Sequence, residues 1–413
     1  MCGIAGILQL DGSSPSREIL EKMTRTLNHR GPDGEGYYIH GPIGLGHRRL
    51  SIIDLTAAGK QPMSNEDGSI WIVYNGEIYN FMRIRTVLTS RGHVFSSQTD
   101  SEVILHAYEE WGIDCLQKFN GMFSFALWDA RQKRLWLVRD RLGIKPLFYC
   151  QLPSAFLFAS EIKAILEYPQ VQRRVDIQAL AYFLGLNYTP APFTLFDSIR
   201  QILPGQYALI GLDGKLEQKE YWDLHYQEEY PQKTEQEYIE EFDDLLEDSV
   251  KLRLVSEVPF GAFLSGGIDS STVSYWMAKN LPDPLKTFTM GFNEPSFDEL
   301  NYACGVAQTL GTDHYEKIIQ ANAVEVLPEI VWHAEEPTAD SSLLAVYYLS
   351  QLTRQHVTMV QGGDGADEIL AGYETYQASL IHQKYLQLPA FLRQGIISPL
   401  IDSLPVSDAK VSL

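Results

Sequence analysis

A cysteine directly follows the first methionine, in the run MCGIAGI. Aminopeptidases can remove Met before a small residue. Cys2 would then lead the chain, with its own α-amine beside its thiol. Such an amine titrates near ~8 and can take a proton at neutral pH, and the thiolate so formed is a nucleophile. Far along the chain lies a second chemical pattern, Ser265-Gly266-Gly267-Ile268-Asp269-Ser270-Ser271, between an apolar run and a helical pattern. Its glycines permit a tight turn with inward N–H groups. Its hydroxyls add donors, and the helix N-terminus adds partial positive charge, which makes an anion cradle. The Gly-Lys-Ser/Thr of a P-loop is missing from it, so a kinase-like γ-phosphoryl transfer is not indicated. Another glycine-rich turn, Gly362-Gly363-Asp364-Gly365-Ala366-Asp367-Glu368, follows the apolar Val357–Val360.

Each of these has a plainer use when taken alone. A cysteine at position 2 is commonly a packing residue. Arg49 could be a solvated strand arginine, Asn75-Gly76 a β-turn, Asp100 a helix N-cap, and the serine-glycine loop an ordinary strand-to-helix turn. The ordered set outweighs those uses. After MCGIAGI come NHRGPDGEG at 28–36, GHRRLSIID at 46–54, YNGEIYN at 74–80 and TDSEVIL at 99–105. FNGMFSFALWD at 119–129, RDRLGIKPLFY at 139–149 and FASEIKAIL at 158–166 complete the series.

This series resembles the glutaminase domain of class II amidotransferases, the N-terminal-nucleophile type found in asparagine synthetases, and it covers about the first 170 residues. The resemblance implies an α+β fold of αββα layers, with Cys2 as nucleophile. It implies that Arg49, not Arg48, forks the carboxylate of a bound glutamine, with Leu50, Ser51, Ile52 and Ile53 beside it. The Asn75 side chain and the Gly76 N–H would hold the developing oxyanion. Asp100 would accept from the glutamine ammonium, with Glu77 as second candidate.

SGGIDSS in turn resembles the pyrophosphate loop of enzymes that adenylate a carboxylate, which implies an α/β ATP pyrophosphatase-type domain with a parallel sheet. By that resemblance Leu264, Ser265, Gly266, Gly267, Asp269, Ser270, Ser271, Met290, Gly362 and Gly363 contact ATP. Asp269 and Asp367 would hold Mg²⁺, and Asp364 would lie near an acyl-adenylate. Gly362 stands where the family commonly has Ser, and Gln361 where it has Leu. EEPTADSS at 335–342 resembles the lining of the second substrate's pocket, with Asp340 and Ser341 as candidates. The implied reaction joins ATP, aspartate, glutamine and water into asparagine, AMP, pyrophosphate and glutamate, with ammonia passed from one site to the other. One alternative is a relative that amidates a different acid. A β-lactam-forming relative fits less well, since such synthetases dispense with the nucleophile and this chain keeps Cys2. A third expectation rests on where the sequence stops: family members continue past the second glycine-rich turn with a helical stretch, so a chain ending at Leu413 is expected to hydrolyse glutamine and make little or no asparagine.

The elements that must position these residues divide by style. Up to about residue 210, short apolar runs read as strands: Ile4–Leu10, Ile70–Tyr74, Phe123–Trp128, Leu135–Val138, Leu147–Tyr149 and Phe156–Ala159. Helical spacing appears at Ile19, Met23, Leu27 and from Val103 to Trp111, ending before Gly112. The polar stretch 215–237 reads as a linker between a glutaminase domain at 1–214 and a synthetase domain at 238–413. A helix through Phe242, Leu246 and Val250 leads into strand–turn–helix units built on Val258–Leu264, Thr287–Phe292 and Val357–Val360, the pattern of a doubly wound parallel sheet. The 413 residues carry a net charge of −20. So acidic a surface repels phosphate backbones and anionic lipids, arguing against nucleic-acid or membrane partners. Four scattered cysteines form no CxxC pair, and nothing has the form of a signal peptide or a membrane span. A cytoplasmic enzyme is expected, and the family habit is a homodimer.

Overall fold

Gly3–Gln9 alternates in the way a strand buried on both faces must: Ile4 and Leu8 turn into one apolar cluster, Ala5 and Ile7 into another. It lies inside a six-stranded antiparallel sheet ordered Ile199–Gln201, Phe148–Gln151, Ala155–Ala159, Gly3–Gln9, Ile43–Arg49, Gly34–His40. A second six-stranded antiparallel sheet runs Leu216–Glu220, Gln206–Gly211, Arg134–Arg139, Gly121–Asp129, Ile70–Ile78, Met63–Ser64. Ile4, Leu8 and Phe158 of the first sheet share one buried cluster with Val73, Ala126 and Leu137 of the second, so the sheets stack face to face. Helices Phe81–Ser90 and Asp100–Trp111 cover the second sheet through Ile84, Leu88, Ile104 and Ala107. Arg17–Arg25 and Ile162–Ile165 cover the first through Leu20, Met23 and Ile165. These are the expected αββα layers. The structure, a computed structural model, describes residues 1–226, 231–292, 299–319, 323–340 and 342–403.

The chain divides into two units. The first comprises Met1–Asp244, Leu252–Val258 and Asn322–Leu344; the second comprises Leu245–Lys251, Pro259–Ala321 and Ala345–Leu413. The second unit holds a parallel sheet ordered Asp313–Ile319, Lys286–Phe292, Phe260–Phe263, Met359–Gln361. Helix Ile268–Asn280 follows the strand Phe260–Phe263, and Leu300–Leu310 follows Lys286–Phe292 in sequence. The three expected strands are present, their ends shifted by at most two residues.

One local expectation needs correction, and two of the plainer uses are set aside. The stretch 215–237 does not open as a linker: Leu216–Glu220 is a strand paired along Gln206–Gly211. An edge strand needs one ladder only and can turn charged side chains to water, so it shows no apolar alternation. Asn75-Gly76 is not a turn but lies inside Ile70–Ile78, with Asn75 opposite Ser124 and Gly76 opposite Phe123. Asp100 does not cap its helix. Thr99 does, accepting from the Glu102 N–H at 3.3 Å, and Asp100 is the first helical residue. The strand Asp313–Ile319 was also unforeseen, because Asp-His-Tyr-Glu-Lys hides it at the sheet edge.

Between the stacked sheets, Gly6 pairs with Phe158, and a Cβ on Gly6 would press into the Phe158 ring. Gly6→Ala should therefore cost about 1–3 kcal/mol through overpacking, and adding Phe158→Leu should restore part of it. Urea unfolding of the two variants checks this; equal stability of Gly6→Ala and wild type would refute it.

Candidate functional site

The buried strand Gly3–Gln9 starts one residue after Cys2, so the first sheet fixes where the thiol stands. Cys2 Sγ lies against the Leu50 backbone, accepting from its N–H at 3.4 Å and reaching its carbonyl at 3.6 Å. The Cys2 carbonyl accepts from Arg30 Nε at 2.9 Å, and Arg30 Nη1 donates to Glu161 at 2.8 Å. Glu161 also meets His29 Nε2 at 3.0 Å and receives Lys163 Nζ at 2.6 Å. Burial alone would raise the Glu161 pKa, but His29, Arg30 and Lys163 together hold it at about 2. A fixed carboxylate thus clamps Arg30, and Arg30 clamps the backbone of Cys2. Burial pushes the Cys2 thiol up, the Leu50 N–H, the amino terminus and Arg49 pull it down, and Asp100 adds to the rise. The terminal amine, here Met1's, is lowered by burial to about 6, so it is largely an uncharged base at neutral pH.

Asn75 is wholly buried, and neither its side-chain N nor its O has a hydrogen-bond partner among the described residues. A buried amide left so costs about 1–3 kcal/mol, which a ligand bonding to it would recover. At Gly76 a Cβ would overlap the Met122 carbonyl and stand 2.6 Å from Phe123 Cα, so close strand packing requires glycine. Asp100 accepts from the Tyr74 hydroxyl at 2.6 Å and the Ile78 N–H at 2.9 Å, and its burial raises its pKa. Burial and the Asp100 charge raise Glu77 to about 7. Burial lowers the nearby Lys145 to about 8.

Successive arginines on one strand face opposite ways. Arg48 is spent on structure: its guanidinium reaches the Gly31 carbonyl, Glu35 and Asn28. Arg49 donates to the Thr56 and Asp54 carbonyls and packs where a Cβ on Gly59 would collide with it. It borders a cavity of about 170 Å³ together with Asp33, Ser51, Thr56, Lys60 and Gln61, while Cys2, Asn75 and Asp100 are not among that cavity's walls. The Ser51 N–H donates to Asp33 at 2.8 Å, the Ile52 carbonyl accepts from the Glu257 N–H at 3.0 Å, and Ile53 packs on the core beneath the second sheet.

In the second unit, the loop after Phe260–Phe263 is held by its own serines. Ser265 Oγ and Ser270 Oγ are 2.9 Å apart, the Ser265 N–H donates to Ser270 Oγ at 3.2 Å, and the Gly267 N–H to Ser265 Oγ at 3.2 Å. Gly266 has φ +82°, which favours glycine, and a Cβ there would strike Tyr302 and Ala303. Helix Ile268–Asn280 begins without a side-chain cap, so its first N–H groups stay available, and Ser271 Oγ is buried without a partner. The two glycine-rich turns meet: a Cβ on Gly363 would stand 2.9 Å from the Asp269 Cβ and the Ser270 N. A cavity of about 400 Å³ gathers Leu264, Ser265, Gly267, Asp269, Ser270, Met290, Gly362, Gly363, Asp364 and Asp367. Gly266 and Ser271 lie in the same loop but off its wall. Glu299 and Leu349 also line it, and no sequence motif pointed to them. Asp340 caps the helix Ser342–Thr353 by accepting from the Ser342 N–H at 2.9 Å, and Ser341 lies outside the described residues.

Motif reading missed Arg30, Tyr74, Lys145 and Glu161. All four stand inside segments that the resemblance had already marked, so the signal was present but was read only for groups that touch substrate.

Residues 1–222 match the family described as glutamine amidotransferase domain, and residues 241–409 match the asparagine synthase family. The chain is 35% identical to asparagine synthetase [glutamine-hydrolyzing] 1 of Bacillus subtilis, over 96% of this chain and 63% of that protein. It is 36% identical to putative asparagine synthetase [glutamine-hydrolyzing] 2 of Methanocaldococcus jannaschii, over 95% of this chain and 79% of that one. The chain thus spans less than two thirds of the length of the Bacillus relative. Among solved structures it is similar to the glutamine phosphoribosylpyrophosphate amidotransferase of Bacillus subtilis, with TM-score 0.40 and 16% identity over 79% of this chain and 70% of that one. No helix among the described residues is long and apolar enough to cross a membrane.

The Glu161 cluster has a pH signature. Its folded pKa of about 2 lies below the ordinary glutamate value of 4.5, so its contribution is complete above pH ~4.5 and is lost as pH falls through 2. Glu161→Gln should cost about 3 kcal/mol at pH 7, and the gap to wild type should shrink steadily below pH 4.5. Denaturant unfolding between pH 7 and 3 measures it; a gap independent of pH would show that the carboxylate charge is not what stabilises.

Proposed function

Because the chain belongs to the family of glutamine-hydrolysing asparagine synthetases, we propose that its first unit releases ammonia from glutamine and its second uses ATP to activate the aspartate side chain that receives it. The observation that carries this reading is the half-buried Cys2 with its thiol against the Leu50 amide, on a fold that also buries an unpartnered Asn75 amide next to Gly76.

In this reading the terminal amine, set free on Cys2 once Met1 is removed, takes the thiol proton. The thiolate attacks the side-chain amide carbon of glutamine, the carbonyl electrons move onto oxygen, and the Asn75 amide and the Gly76 N–H hold that oxyanion. On collapse the C–N bond breaks, the nitrogen takes a proton and leaves as ammonia, and a thioester remains on Cys2. Water then cleaves the thioester to glutamate and restores the thiol. Arg49 forks the substrate carboxylate, with Leu50, Ser51, Ile52 and Ile53 shaping the wall, while Asp100 and Glu77 receive the ammonium. Two acidic groups beside one cationic group suit that task, since the cation favours the charged form of both.

In the second unit the Ser265–Ser271 loop and Gly362-Gly363 cradle the ATP phosphates, Leu264 and Met290 flank the nucleotide, and Asp364 stands near the acyl-adenylate. The aspartate side-chain carboxylate attacks the α-phosphorus, pyrophosphate leaves, and ammonia displaces AMP to give asparagine. Asp269 and Asp367 line the cavity that holds the phosphate loop, and two carboxylates beside phosphates suit Mg²⁺. They would hold the ion, which when bound offsets phosphate charge. The same proposal assigns glutaminase work to 1–214 and synthetase work to 238–413, in a cytoplasmic homodimer.

Cys2→Ala should abolish glutamate release from glutamine by several orders of magnitude and leave synthesis from added ammonia untouched. Assays of glutamate, pyrophosphate and asparagine with glutamine or ammonia, ATP, Mg²⁺ and a panel of acids test the reading; substantial glutaminase activity in Cys2→Ala would remove Cys2 from the mechanism. Pyrophosphate release with another acid but not with aspartate would reassign the acceptor.

Arg49→Lys should raise the KM for glutamine roughly ten- to a hundredfold, the cost of one lost charged hydrogen bond. Arg48→Lys should lower stability with little change in KM, since its bonds go to Gly31, Glu35 and Asn28. Equal KM effects in both would place the carboxylate fork elsewhere.

A further inference from the structure

His106 and Glu109 sit one turn apart on the helix Asp100–Trp111, and His93 reaches them from the segment after helix Phe81–Ser90. Their ring and carboxylate atoms converge. His93 Nδ1 and His106 Nδ1 are 3.1 Å apart, and Glu109 Oε2 is 3.3 Å from His106 Nδ1. None of the three belongs to the glutamine site or the phosphate loops.

The outer nitrogens are already committed. Carboxylates only accept, and Glu110 Oε2 stands 3.2 Å from His93 Nε2, so that nitrogen carries the hydrogen. His106 Nε2 faces the carboxylates of Glu102 at 3.8 Å and Glu66 at 3.9 Å, which likewise draw the hydrogen outward. Both Nδ1 lone pairs then point at one another, and at an anionic oxygen. Three acceptors in mutual contact repel unless something positive stands among them. One proton on His106 Nδ1 could be shared between His93 and Glu109, but only as a weaker three-centre bond. A single cation serves all three.

The spacing also fits a metal. For bonds of about 2.0–2.1 Å, adjacent ligands of a tetrahedral ion lie about 3.3 Å apart. The three ligand atoms are all within 4.8 Å of one another. The supports match as well: ligand imidazoles commonly hold their second N–H on a carboxylate, as His93 does on Glu110, and His106 Nε2 faces Glu102 and Glu66. Glu109 is held too, since its Oε1 accepts from Asn65 Nδ2 at 2.8 Å. The His93 and Glu109 side chains keep 17% and 20% exposure, which leaves room for water as a fourth ligand.

We propose that His93, His106 and Glu109 form a binding site for one divalent transition ion of the zinc class, separate from both reaction sites. Two imidazoles and a carboxylate select a borderline ion over Mg²⁺, which prefers an all-oxygen shell. The ion would tie the segment around His93 to the helix whose first residue is Asp100, and so serve as a staple beneath the glutamine site.

The test uses the full chain, stripped with a chelator and titrated with Zn²⁺ against a chromophoric competitor at pH 7.5, then with Co²⁺ as a spectroscopic probe. Wild type should bind one equivalent at this site, rise in Tm with Zn²⁺, and show Co²⁺ d–d bands of a four-coordinate nitrogen–oxygen site. His93→Gln and His106→Gln should each weaken this binding about tenfold or more and abolish the Tm rise. Cys304→Ser should leave all three readouts unchanged, which separates this site from the other His-containing cluster, Cys304, His314 and Glu316. If His106→Gln fails to fold, His93→Gln, at the more exposed rim, decides. Absence of stoichiometric binding, binding indifferent to His93→Gln, or a thiolate charge-transfer band lost in Cys304→Ser would each overturn the proposal.

Discussion

Everything at the amino-terminal end depends on one strand being buried on both faces. Gly3–Gln9 is paired on each side, with Ile43–Arg49 and with Ala155–Ala159. It packs one face on the facing sheet and the other on helices. A terminal segment normally frays. This one cannot, because freeing it would expose Ile4, Ile7 and Leu8 and break two ladders at once. A cysteine one residue before this strand therefore acquires the positional certainty of a core residue. The Arg30–Glu161 clamp extends that certainty by one more residue, to the carbonyl of Cys2 itself.

The same burial sets the electrostatics. An amine, a thiol and two carboxylates are all shifted toward their neutral forms in the first unit, and in each case burial is the leading cause. The charges nearby are too evenly mixed to reverse it, with Arg49 and Lys145 set against Asp100 and Glu77. A zwitterionic ligand entering such a place restores the balance, since its carboxylate and ammonium each favour the charged form of the group they meet. The unpartnered Asn75 amide follows the same logic: its buried polar atoms are left unsatisfied among the described residues, a cost that a bonding ligand would recover.

Much of this was legible in the sequence, for reasons that differ by residue. Gly76 and Gly266 could be singled out because a glycine where backbones crowd is visible as a motif, and the structure shows the crowding at both. The interior strands were legible because burial on both faces demands unbroken apolar runs. Leu216–Glu220 and Asp313–Ile319 were not, because an edge strand is specified by its neighbour's ladder rather than by its own side chains. The Arg30–Glu161 clamp was hidden for another reason: its members are separated by 131 positions, and a long-range ion pair leaves no local pattern. Thr99 was hidden beside Asp100 because both are good caps, and only backbone geometry decides between neighbours.

The two units solve one problem in different ways. Each leaves polar groups unpartnered among the described residues. The first does so with a side chain, Asn75, which is buried inside the strand Ile70–Ile78 with both polar atoms unpartnered among the described residues. The second does so with backbone: Gly266 lets its turn pack on Tyr302 and Ala303, and Gly363 lets the other turn approach Asp269 and Ser270, beside the uncapped start of helix Ile268–Asn280. A side-chain donor can be aimed within a rigid sheet and suits a single developing charge. A nest of backbone N–H groups spreads its dipoles and suits a polyanion. The two units therefore differ in how each fold makes its donors available, by an aimed side chain in one and by backbone in the other.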